Sequence, residues 1–186
     1  MNAINAGFGV QIAPGTLRLQ RSLPGPIERV WHYLTDSQAR GSWLAFGPMD
    51  LRVGGDVRLE FHNDDLSEHR VPTPERYRTE DGCHRQSGQV TACEPPHLLA
   101  HTWGEADGSS SEVRFDLQPD GDRVLLTITH ARLPDRDALL SVSAGWHAHV
   151  GILIDRLEGR PPGNFWVAHE ALETAYADRL PGGAAA

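Results

Sequence analysis

Between residues 16 and 23, apolar Leu17, Leu19 and Leu23 alternate with polar neighbours. That two-residue period is a strand's, and Arg21 interrupts it on the apolar face. Pro24-Gly25-Pro26 ends the pattern. Ile27, Val30, Trp31 and Leu34 then fall at i, i+3, i+4 and i+7, predicting an amphipathic helix with Pro26 at its start. Residues 36–40 predict one more short helical turn, closed by Gly41. From Trp43 the period returns to two. Val57, Leu59 and Phe61 share one face of a strand over 56–62, and further strands are predicted over 89–94, 98–103, 112–117 and 124–130. The connections EPPH, GEADGSS and QPDGDR have hairpin chemistry, so the strands form an antiparallel meander. Residues 63–87 are charged, contain Pro72 and Pro74, and exceed what a hairpin needs; they read as a surface insertion or as a lid. The helical period resumes with Trp146, Val150, Leu153 and Leu157 over 144–158, and with Phe165, Ala168, Leu172, Ala175 and Tyr176 over 164–180.

Composition narrows the function classes. The 186 residues suit one domain: a loose segment over 1–14, the main body over 15–160, and a helical extension with a loose tail over 161–186. A net charge of −8 and the absence of a basic, aromatic-interleaved cluster argue against nucleic acid. No apolar run has the length of a membrane span, and the first fifteen residues lack the basic and apolar regions of a signal peptide, so the expected location is cytoplasmic. Cys83 and Cys93 read as free thiols. All 17 basic residues are arginine, which excludes Schiff-base and lysine-nucleophile chemistry.

The order of strand, two short helices, meander and long helix resembles the helix-grip fold of the START-like (SRPBCC) superfamily. PIERVWHYLTD, Trp43-Leu44, VGGDVRLEF, EPPHLLAHTWG, VLLTITHARL and GWHAHVGILIDRLEGR resemble segments of bacterial homologues of the activator of heat-shock-protein ATPase. The resemblance implies an α+β fold, a curved antiparallel sheet of six to seven strands around a long C-terminal helix. It also implies an apolar pocket between the two. Such folds carry ligands, cyclise, hydrolyse or act as co-chaperones, so the fold alone does not choose.

Alternation proposes the pocket's lining. Leu59 and Phe61, then Leu99, His101 and Trp103, then Phe115, Ile128 and His130 fall on same-face rows of the sheet, facing Trp146, Val150 and Leu153 from the helix. Trp43 adds an aromatic wall. The aliphatic members also read as plain core. His101 and His130 are the weak candidates for general acid–base work, with a structural hydrogen bond as the other reading of His130. No HExxH or CxxC spacing, phosphate loop or GxSxG elbow occurs; His147 and His149 lie i, i+2 on a helix and point apart, so neither metal nor cofactor is expected. Three functions follow. The first is a binding protein for a small apolar or aromatic ligand. The others are a chaperone partner, as the resemblance implies, and a cyclase or hydrolase using a pocket histidine. Phe165, Trp166 and Tyr176 cover either a second copy or their own chain.

Overall fold

The computed structural model describes residues 3–104 and 110–180. Seven strands, β1 (Val10–Ala13), β2 (Thr16–Pro24), β3 (Asp56–Phe61), β4 (His84–Glu94), β5 (Leu98–Trp103), β6 (Ser111–Asp120) and β7 (Arg123–Ala131), form one open antiparallel sheet in the order β1-β2-β7-β6-β5-β4-β3. Helices α1 (Ile27–Thr35) and α2 (Ser37–Gly41) interrupt the strands early, and α3 (Arg136–Leu157) and α4 (Phe165–Arg179) follow them. This is the helix-grip arrangement that the resemblance implies.

Local chemistry accounts for the boundaries. Asp36 stops α1 and caps α2 by accepting from Gln38 N and Ala39 N. Asp135 accepts from Ala138 N and starts α3 eight residues earlier than the helical period of 144–158 predicts. Asn164 caps α4 through Val167 N. Strand β4 begins at His84 rather than 89, because the polar residues 84–87 pair in register with β3 without any apolar alternation. The intervening segment over 62–83 holds two short 3-10 turns.

The N-terminal segment differs from the loose chain expected over 1–14. Ala3–Ala6 is a 3-10 turn, and β1 pairs with β2. The Asn5 side chain exchanges two hydrogen bonds with the Ser22 backbone, and Phe8 packs edge-on against Tyr176 and His147. Single residues anchor the segment, so no period announces it. The GEADGSS turn and the tail beyond Leu180 fall wholly or partly outside the described residues.

The core is built in rows across the sheet. Leu19, Ile128, Phe115 and Leu99 are successive register partners and at most 2% exposed. The neighbouring row is Leu17, His130, Val113 and His101, and beyond it Trp103 faces Ser111. Val150 and Leu153 of α3 are fully buried against this face. Arg40 is 1% exposed and donates to the carbonyls of Ala45, Thr35 and Gly47, tying α2 to the chain that leads into β3.

Candidate functional site

A cavity of about 820 Å³ lies at the Trp103 end of these rows. Phe61, Trp103 and His130 bound it from the sheet, and Gly145, Trp146 and His149 from α3. Phe165, Trp166 and His169 of α4 and Asn63, Asp64 and Tyr77 of the 62–83 segment complete the wall.

Of the twelve side chains proposed from the sequence, Phe61, Trp103, His130 and Trp146 border this cavity. The other eight sit elsewhere in the core. Leu99, Phe115 and Ile128 belong to the deeper row, and Leu59, Val150 and Leu153 are 0–2% exposed without reaching the wall. Trp43 is fully buried, donates its indole N–H to Tyr33 O at 2.8 Å and lies off the cavity. His101 stacks against Trp103, is 2% exposed, bonds the Thr102 carbonyl and also lies off the wall. Alternation identifies the face of the sheet but not the depth along it, and residues from the aperiodic 62–83 segment and from α4 were missed for that reason.

The wall is ordered by hydrogen bonds. Trp146 Nε1–H donates to His130 Nδ1 at 3.0 Å, so the remaining proton of neutral His130 is on Nε2 and reaches Ser111 Oγ at 2.8 Å. Burial, with lesser repulsion from His101 and Arg132, pushes His130 down to about 3. On α3, His149 bonds the Trp43 carbonyl at 2.7 Å, and burial holds it at about 4. His169 is also pushed down, chiefly by burial. These rings are therefore neutral at pH 7. His147 points to the other side of α3, toward the Tyr176 hydroxyl at 3.1 Å.

The segment over 62–83 is fastened across the opening. Asp64 accepts from Trp166 Nε1 at 2.5 Å and from Thr73 Oγ1 at 2.6 Å. Tyr77 stacks on Trp166 with ring centroids 5.2 Å apart, and Arg76 pairs with Glu173. Phe165, Trp166 and Tyr176 are at most 7% exposed against their own chain, which resolves the alternative left open for these side chains.

An open antiparallel sheet holding a long helix, with a cavity at one end, defines a protein of the START-like superfamily. The chain belongs to the family described as Activator of Hsp90 ATPase homolog 1-like protein, whose profile matches residues 24–158. It is similar to a Bordetella parapertussis protein solved by solution NMR, with 38% identity, a TM-score of 0.76, and coverage of 95% of this chain and 92% of the other. CalU16 from Micromonospora echinospora shares the fold at 24% identity, with a TM-score of 0.64 and coverage of 92% and 93%. An Hsp90 activator from Plasmodium falciparum shares it at 17% identity, with a TM-score of 0.55 and coverage of 78% and 97%. No curated protein matches the chain. Among the described residues no helix is long and apolar enough to cross a membrane.

Proposed function

We propose that this chain binds a small apolar or aromatic molecule in the cavity between its sheet and its long helix. The observation that carries the reading is the cavity of about 820 Å³, within the range of ligand sites, walled by Phe61, Trp103, Trp146, Phe165, Trp166 and Tyr77. Aromatic walls offer large apolar area and stacking partners, while a few fixed polar groups set orientation. His130 contributes as part of that wall. With one nitrogen accepting from Trp146 and the other bonded to Ser111, it is a positioned, neutral ring.

Native mass spectrometry of the purified full chain tests this, together with tryptophan fluorescence titrations against fatty acids and aromatic compounds. A co-purified small molecule or a saturable fluorescence change supports it, because three of the five tryptophans face the cavity. A protein-only mass with no response to any compound overturns it. In that outcome a chaperone partner becomes the reading to pursue, by pull-down with a heat-shock-protein ATPase.

A further inference from the structure

The cavity's polar groups are not equally occupied, and two that lack a partner at its inner wall are hydrogen-bond acceptors. His149 is 5% exposed, and its Nδ1 lies 2.7 Å from the carbonyl oxygen of Trp43. A carbonyl only accepts, so Nδ1 carries the proton and Nε2 of the neutral ring is a bare acceptor. Among the described residues no hydrogen bond to that Nε2 is formed, and the ring is part of the cavity wall. Asn63, on the same wall, has its Oδ1 buried without a partner. Leaving Asn63 Oδ1 buried and unpaired is costly, and His149 Nε2 is open to a donor that enters the cavity.

Several other polar groups on the wall are engaged. Both nitrogens of His130 are bonded, Asp64 Oδ1 accepts from Trp166 and Thr73, and the Tyr77 hydroxyl meets Ser141 Oγ at 3.2 Å. The cations at the site sit on its exposed rim. Arg76 is paired with Glu173, and Arg78 donates to the Thr73 carbonyl. An anionic head group entering the cavity would lose its water and meet neutral imidazoles and an acceptor amide.

Resting on the binding reading above, we propose that the ligand is a neutral hydroxylated aromatic molecule, with a hydroxyl donating to His149 Nε2 and one pairing with the Asn63 amide. A hydroxyl both donates and accepts, so it satisfies whichever edge the Asn63 amide presents. Phe165, with its ring centroid 4.4 Å from that of His149, and Trp166 beside it place aromatic surface next to these polar groups. Fatty acids, which combine a flexible chain with a carboxylate, match neither half of this wall.

Isothermal titration calorimetry of the full chain with three matched probes, 2-naphthol, 2-methoxynaphthalene and 2-naphthoate, tests the assignment. The ether keeps the ring and the oxygen but lacks the donor, and the naphthoate replaces it with a charge. The expected result is about tenfold tighter binding of 2-naphthol than of either other probe, the effect of one or two neutral hydrogen bonds. In Asn63→Leu, which keeps the side chain's size, the advantage over the ether falls to a few-fold. His149→Phe shrinks it further, with circular dichroism confirming the fold, since this ring also holds the Trp43 carbonyl. Equal binding of naphthol and its ether, or tightest binding of naphthoate, overturns the hydroxyl assignment and leaves the binding reading intact. No binding of any probe, with no fluorescence response to the wider compound panel, overturns both.

Discussion

The indole N–H of Trp146 donates to His130 Nδ1 at 3.0 Å, joining the middle of α3 to β7 at the edge of the cavity. The bond sets the tautomer of His130 and orders a chain that runs on to Ser111 Oγ. It also explains how a histidine with 0% exposure is accommodated between Leu17 and Val113.

Trp146→Phe keeps an aromatic ring against Trp103 and Phe115 but removes the donor. His130 Nδ1 is then buried without a partner, and the expected loss is about 1–3 kcal/mol. The double variant with His130→Leu should lose less than the sum of the two single changes, because both act on one bond. Urea denaturation with an unchanged m-value measures this. Additive losses would mean the bond contributes nothing to stability.

Acid should destabilise the protein well above the usual carboxylate range. His130 is held at about 3, and His101, His147 and His149 at about 4, in each case mainly by burial. The unfolded chain takes up a proton on each near pH 6.5, while the folded chain does not until its own lower value is reached. In that window the unfolded state binds more protons. Stability is therefore complete above about pH 6.5 and falls as pH drops toward about 4, by ~1.4 kcal/mol per pH unit for each ring. Urea midpoints measured from pH 7.5 to 4.5 should fall steeply below pH 6.5. A flat profile between pH 7 and 5 would show that the rings accept protons while the chain is folded.

These two relationships also mark what a sequence of this kind discloses. Leu17, Leu19 and Leu23 on β2 and Val57, Leu59 and Phe61 on β3 are buried as their alternation predicts, because a half-buried strand must repeat every two residues. Arg21 breaks that period yet is 2% exposed on the same face, where its guanidinium donates to the Gln20 carbonyl and burial disfavours its charge, a placement no simple apolar rule expects. Strand β1 escapes the pattern because Val10 and Ile12 stay about half exposed on an edge. The cavity's aromatic roof escapes it too: Tyr77 and Trp166 are 89 positions apart and are joined by packing, which no period encodes.

Arg40 offers a test of the local architecture ahead of β3. Its guanidinium is buried, is pushed down to about 10 by that burial, and remains charged at neutral pH while donating to four carbonyls, those of Leu34, Thr35, Ala45 and Gly47. Arg40→Met leaves those oxygens without their donor and should cost ~3 kcal/mol or more. Arg40→Lys keeps the charge but lacks the planar fork that spans them, and should fall between. Thermal unfolding of both variants checks the order. Equal stability of the Lys variant and the original would mean that charge alone, rather than the fork, is required.

The 62–83 segment should open when its aromatic fastening is removed. Tyr77 stacks on Trp166, meets Ser141 Oγ and lies edge-on to His169. The stretch nearer β3 keeps independent anchors, Arg156 to the Leu66 carbonyl and Asn164 to the His69 carbonyl. Tyr77→Ala should therefore release the part beyond Arg70 while leaving the body folded, with a global loss of ~1 kcal/mol for the stacking. Arg76, Arg78 and Arg85 give trypsin sites within and just beyond that part. Cleavage there should accelerate several-fold, and a bound probe should dissociate faster, because the opening is no longer covered. A large drop in stability with no change in cleavage would instead show that this segment unfolds only together with the core.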